Sequence, residues 1–176
     1  MFLILYVRHG ETDYNLHGLW MGSIDAPLNE QGRTQALNVA IELCNFSIDK
    51  IYTSPLCRAH ETAMIIASRQ SVSPELLILP GLQERGFGVL EGRLKTAESK
   101  KDLDSCLGVE SESNFRVRLM ESMSALDGVG LVLIVSHSAV FRYLVEKLNF
   151  SPIPSVDSIA NCQVVELRRS VTEEER

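Results

Sequence analysis

Phe2-Leu-Ile-Leu-Tyr-Val-Arg-His9 and Leu131-Val-Leu-Ile-Val-Ser-His137 decide how this chain folds. Each is an almost unbroken apolar run that ends in a histidine. Continuous runs of this length mark parallel strands covered on both faces, whereas a strand with one wet face alternates. Outward from them, Lys50-Ile-Tyr-Thr53 and Leu76-Leu-Ile-Leu79 read as two shorter strands, and Gln163 to Leu167 as a last one. Helical patterns lie between the strands. Asn29 to Ala36 leads into a stripe of Leu37, Ala40, Ile41 and Cys44. Ser54-Pro55 reads as an N-cap with proline at the first helical position, opening a helix that carries Ala59, Ala63, Ile66 and Ala67. Asn114 to Leu126 presents Phe115, Val117, Leu119, Met123 and Leu126, and Val140 to Leu148 supplies a further helix. Strands alternating with helices imply an α/β sandwich around a mainly parallel sheet.

The chain of 176 residues suits a single domain, residues 1–176, with enough core to stand without staples. Residues 80–113 are its least regular part, rich in glycine and charge, and are expected to fold over one end of the sheet as a lid. The polar tail, residues 172–176, should fray. Apolar residues make up 45% and charged residues 23%, an ordinary globular balance. A net charge of −6 with no basic run argues against a nucleic-acid partner. An anionic substrate would therefore need positive charge gathered locally. The four cysteines, Cys44, Cys57, Cys106 and Cys162, form no C-x-x-C pair and read as buried free thiols of a reducing cytoplasm. The apolar start runs straight into Arg8-His9 and is too short for a signal peptide, and no stretch suits a membrane span. The exposed edges of the sheet leave an oligomer possible.

His9 and His137 each sit at the carboxyl end of a buried strand, the edge at which open α/β sheets bind ligands. If the two strands are neighbours, both imidazoles reach one small ligand. Arg58 adds a guanidinium in the first turn of a helix at the same edge, where free N–H groups and the helix dipole attract anions. Arg8 and Arg58 offer the planar, charge-assisted donors that suit phosphate. A metal site of His9, His137 and a carboxylate is the competing reading, but two arginines would repel a divalent cation. His60-Glu61 lacks a second histidine four residues on, since position 64 is Met, so the zinc-protease pattern fails. His60 and His17 read as surface residues. Gly86 and Gly88 open no strand–turn–helix and do not make a dinucleotide loop.

The chain resembles the histidine phosphatase superfamily, which includes the cofactor-dependent phosphoglycerate mutases. The matching pieces are Arg8-His-Gly-Glu-Thr12 with Asn15, then Asp25-Ala-Pro-Leu28 with Gly32 and Gln35-Ala36. Ser54-Pro-Leu follows, with Arg58-Ala59 and Thr62-Ala63. Leu82-Gln-Glu84, Phe87-Gly88, Glu91-Gly92, Glu110-Ser111 and Val135-Ser-His137 complete the order. The resemblance implies a three-layer α/β/α fold, and with two arginines in the pocket no metal or other cofactor is expected. It makes His9 the phosphohistidine and Glu84 the proton donor, with Arg8, Arg58 and His137 as the phosphate pocket. Asn15 and the Gly22 backbone would add contacts to the phosphoryl oxygens. An imidazole must be neutral to attack phosphorus, with its second nitrogen donating to a carbonyl.

The chain departs from the pattern at Met21, where relatives carry a hydroxyl or amide, and Ser23 is the available substitute. Ser138 stands where glycine follows the second histidine, and Val109 stands before Glu110 where glycine is common. These changes bear on pocket shape. Lys95 matches a substrate-binding lysine of the mutases. The long mutase insertion between Glu84 and His137, with its arginine pair, is absent here, so water should reach a phosphorylated His9. A phosphatase acting on a small phosphorylated metabolite is the expectation. A mutase, and a phospholigand-binding module without turnover, are the alternatives.

Overall fold

The computed structural model describes residues 2–127 and 130–169. Six strands form one sheet: β1 Phe2–Arg8, β2 Ile48–Thr53, β3 Glu75–Ile78, β4 Gly130–Ser136, β5 Phe150–Ile153 and β6 Val164–Arg169, in the order β3-β2-β4-β1-β6-β5. β1 to β4 run parallel, and β6 is antiparallel to both β1 and β5. The helices are α1 Asp13–Leu16, α2 Glu30–Glu42, α3 Cys57–Ala67, α4 Ala97–Lys101, α5 Glu112–Ser124 and α6 Ser138–Lys147.

The two apolar runs are the centre of this sheet, β1 beside β4, and both their faces are buried as their composition requires. Ile4, Tyr6, Val132 and Ile134 face a core closed by Phe115 and Leu119 of α5 and Val140, Phe141 and Leu144 of α6. Leu5, Val7, Leu133 and Val135 face the opposite core, closed by Val39 and Ala40 of α2 and Ala59, Ala63 and Ile66 of α3. Alternate residues of a strand point to opposite faces, so one continuous apolar run feeds both layers. The result is the three-layer sandwich.

Several details differ from the sequence reading. Sequence patterning gives no sign of β5, because Pro152 sits within it; as an outer strand it needs no N–H there. The stripe of α2 is displaced: Gly32, Ala36, Val39 and Ala40 are buried, while Leu37 and Ile41 are 40% and 62% exposed. Val117 of α5 is likewise exposed. α3 begins at Cys57 with Leu56 as its N-cap, so neither Ser54 nor Pro55 opens the helix. The four cysteines are free but only partly buried. Residues 172–176, expected to fray, lie outside the described residues.

Candidate active site

The register of the sheet sets the site. Arg8 pairs with Ser136 across β1 and β4, so His9 and His137 occupy equivalent positions one residue past the strand ends. The His9 N–H donates to the Ser136 carbonyl at 3.0 Å, and the imidazole centroids lie 5.1 Å apart. Ser54 leaves the end of β2 beside them, its N–H donating to the Val135 carbonyl at 3.2 Å. Three parallel strand ends therefore meet at one edge, where β4 is inserted between β2 and β1.

Each imidazole is held through one nitrogen. His9 Nδ1 lies 2.7 Å from the Gly10 carbonyl oxygen, which can only accept, so the proton resides on Nδ1 and Nε2 keeps a free lone pair. Burial, with the nearby Arg58 and Arg8 charges, pushes the His9 pKa well below its ordinary 6.5. The ring is neutral at physiological pH. His137 Nε2 lies 2.8 Å from Ser54 Oγ, which itself accepts from the Leu56 N–H at 3.2 Å. Ser54 keeps a proton that it can give to Nε2, and in that tautomer Nδ1–H of His137 is a donor. Burial, followed by the Arg58 charge, also holds the His137 pKa well below its ordinary value. The backbone of His137 is gripped by the Tyr6 hydroxyl, which donates to its carbonyl at 2.6 Å and accepts from its N–H at 3.1 Å.

Both guanidiniums are anchored by their ends. Arg58, fully buried, donates from Nη1 to the Ile24 carbonyl at 2.7 Å and from Nη2 to the Gly22 carbonyl at 2.9 Å. Arg8 donates from Nη1 to the Ile159 carbonyl at 3.0 Å. Among the described residues four buried side-chain nitrogens lack a partner, and three of them are Arg8 Nε, Arg58 Nε and His137 Nδ1. A buried donor without an acceptor costs about 1–3 kcal/mol, so the two guanidinium Nε–H groups, joined by His137 Nδ1 when it is protonated, call for an anion.

Glu84, 8% exposed, faces this group from the segment after β3. Its carboxylate accepts from the Ala139 N–H in the first turn of α6 at 3.2 Å, from Ser138 Oγ at 3.3 Å and from its neighbour's Arg85 N–H at 3.1 Å. A cavity of about 420 Å³ opens in front, reached by Arg8, His9, Asn15, Gly22, Glu84 and Ser138. Lys95, Lys100 and Arg142 bring positive charge to its walls, with Asp157 and Glu84 as the acids. The thiols of Cys57 and Cys162 do not compete with His9 as nucleophiles: Cys57 is pushed up to about 11, by burial and then Asp25, and Cys162 up to about 12 by burial.

A family model described as histidine phosphatase superfamily (branch 1) matches residues 4–174. The chain belongs to the histidine phosphatase superfamily. It is 33% identical over 153 residues to the uncharacterized phosphatase PhoE of Bacillus subtilis, covering 85% of this chain and 78% of that one. It is also 33% identical to the metal-independent phosphoserine phosphatase of Arabidopsis thaliana, covering 94% of this chain and 76% of the relative. A crystal structure of a Thermus thermophilus protein superposes with a TM-score of 0.72 at 28% identity, over 93% of this chain and 92% of the other.

Within this superfamily member, the residues singled out from the sequence fall into three groups. Arg8, His9, Glu84, Asn15, Gly22 and Ser138 reach the cavity. Arg58 and His137 are fully buried behind it, adjacent to His9. Ser23 does not join them: its N–H and hydroxyl are taken by the Glu91 carboxylate at 2.9 Å, and it is exposed. Asn15 spends its Oδ1 on the Thr12 N–H, Thr12 Oγ1 and Asn161 Nδ2, which leaves its own Nδ2 as donor toward the cavity. His17 is exposed, while His60 is half-buried rather than at the surface.

Sequence reasoning misses the residues that orient others. Ser54 has the pattern of a helix cap, yet it serves His137. Thr62 Oγ1 accepts from the Gly10 N–H at 3.1 Å and so steadies the carbonyl that fixes the His9 tautomer. Both are visible as matched positions, Ser54-Pro-Leu and Thr62-Ala63, but a spacing says nothing about which partner a hydroxyl finds.

Proposed function

We propose that the chain hydrolyses phosphomonoesters through a phosphohistidine on His9, without a metal ion. The observation that carries this reading is the neutral His9, with Nε2 free, beside the unpartnered buried donors on Arg8 and Arg58, joined by His137 Nδ1 when it is protonated. A phosphoryl group seated there would receive those donors on its oxygens, and phosphoryl transfer depends chiefly on such placed positive charge.

In the first step the Nε2 lone pair bonds to phosphorus as the ester P–O bond breaks. Glu84 gives its proton to the departing alkoxide, which leaves as the alcohol. In the second step water attacks phosphorus, Glu84 takes one of its protons, and the P–N bond breaks to return neutral His9 and release inorganic phosphate. Two guanidiniums beside His9 disfavour a divalent cation, which supports metal independence, as does the likeness to a relative named for that property. The substrate in this reading is a small phosphorylated metabolite, matched to the cation-lined cavity. Residues 80–113 act as its lid: Lys95, Lys100 and Leu103 line the cavity, and Trp20 Nε1 donates to Ser99 Oγ at 3.0 Å to tie the segment down. Free cysteines accord with a cytoplasmic setting; among the described residues no helix is long and apolar enough to cross a membrane.

Purified protein assayed on p-nitrophenyl phosphate and 3-phosphoglycerate tests the reading. Release of inorganic phosphate is expected, undiminished by EDTA. Transfer between glycerate positions would make it a mutase, and no turnover of any phosphomonoester would make it a binding module.

A further inference from the structure

The same reading leaves one group of charges unused. Arg118 of α5 lies outside the cavity, yet it donates to three carbonyls of the segment that carries Glu84. Its Nη1 bonds the Gly81 carbonyl at 2.7 Å and the Gln83 carbonyl at 2.9 Å, and its Nη2 bonds the Glu84 carbonyl at 3.1 Å. The guanidinium also grips the Glu110 carboxylate in a fork, Nε to Oε1 at 2.6 Å and Nη2 to Oε2 at 2.8 Å. Phe115 supports the guanidinium plane, 4.6 Å from its ring centroid.

Glu110 closes the arrangement from the far side of Glu84. Its carboxylate accepts from the Gly86 N–H at 3.2 Å, and its own N–H donates to the Gly86 carbonyl at 2.9 Å. Arg85 then reaches back to the Glu110 carbonyl at 2.7 and 2.9 Å. Residues 81 to 86 are thus pinned on both sides of Glu84 by one ion pair. The pair is mostly buried, with side-chain exposures of 22% and 20%, unlike the open surface pair Arg33–Glu61. Gly81 belongs to the device as well, because a Cβ there would strike Ser122 Oγ and the Arg118 carbonyl oxygen.

We propose that Arg118 and Glu110 are positioning residues for general-acid catalysis, holding the backbone of Glu84 so that its carboxylate meets the leaving-group oxygen. The proposal rests on Glu84 being the acid. A loop pinned only by surface contacts would let the carboxyl wander, and misplacement of about 1 Å costs on the order of 100-fold. The ion pair thus serves the protonation step rather than phosphate capture.

The discriminating readout is dependence on leaving group. kcat/KM is measured for wild type, Arg118→Lys, Glu110→Gln and Glu84→Gln over esters from p-nitrophenyl to alkyl phosphates. Alkyl esters should fall about 100-fold in Arg118→Lys and at least about 10-fold in Glu110→Gln, with p-nitrophenyl phosphate falling less than a tenth as much. The double variant Arg118→Lys with Glu84→Gln should be no slower on alkyl esters than Glu84→Gln alone. Equal slowing of all esters in both single variants, or no slowing, overturns the positioning role. If Glu84→Gln itself shows no preference among leaving groups, the acid assignment fails first. Glu110→Gln keeps the shape and two acceptor contacts, so a folding failure of Arg118→Lys leaves the test decided by the milder variant.

Discussion

At the scale of single residues, the chemistry of the site is a matter of which nitrogen keeps its lone pair. His9 Nδ1 is committed to the Gly10 carbonyl, so Nε2 is the nitrogen left for the proposed bond to phosphorus. His9→Ala should abolish trapping of acid-labile phosphate and lower kcat/KM by about 10⁴-fold or more, as measured in a rapid-quench assay. Ser54 fixes the other imidazole. Ser54→Ala should leave His137 free to place its proton on either nitrogen, cut kcat/KM about 10-fold and weaken inhibition by inorganic phosphate. Unchanged phosphate inhibition would remove Ser54 from that role. Both imidazoles also make stability depend on pH. Their folded pKa values are depressed below the ordinary 6.5, chiefly by burial. Below 6.5 the unfolded chain therefore binds protons that the folded protein refuses. Their contribution is complete above that value and is lost as pH falls, at up to about 1.4 kcal/mol per unit for each histidine. Urea midpoints should drop between about pH 7.5 and 5.5, and the drop should shrink in His9→Asn.

At the scale of elements, the site depends on close approach between the loop that carries His9 and a helix that carries no group of the site. The loop after β1 passes so near α2 that a Cβ on Gly10 would meet the carbonyl of Gly32, while a Cβ on Gly32 would meet the backbone of Glu11. Backbone cannot yield as a side chain end can. Gly10→Ala should cost about 3 kcal/mol, read from denaturant unfolding, and shift the carbonyl that orients His9. The strands are legible in the sequence because runs of five or six apolar residues need two covered faces. The pattern holds at α2 for Ala40 but misleads for Leu37 and Ile41, which are exposed while Ala36 and Val39 are buried. α2 lies close against α3, where small side chains let the two helices approach, and a helical period alone is satisfied by either face. Pro152 hides β5 in the same way, because local chemistry discourages a strand that only its position at the sheet edge permits.

At the scale of the whole molecule, a protein of net charge −6 gathers Arg8, Lys95, Lys100 and Arg142 around one cavity, with Arg58 buried behind it. Their mutual repulsion is held in place by the fold and relieved by a bound anion. Inorganic phosphate or vanadate should therefore raise the midpoint of unfolding, by about 2.7 kcal/mol of stability at roughly one hundred times its dissociation constant. Arg58→Gln should weaken that gain, and a midpoint indifferent to phosphate would mean that the cations are satisfied otherwise.

By itself the sequence determined that two apolar runs end in histidine, that charge must be concentrated somewhere, and that the order of motifs resembles one superfamily. Those properties are local, carried by composition and spacing along the chain. Only the tertiary structure decided that Ser54 serves His137, that Ser23 turns to Glu91 instead of the cavity, and that Arg118 holds the segment behind Glu84. The physical reason is that a polar side chain is specified by its partner. Partners far apart in sequence become neighbours only when the sheet register is set.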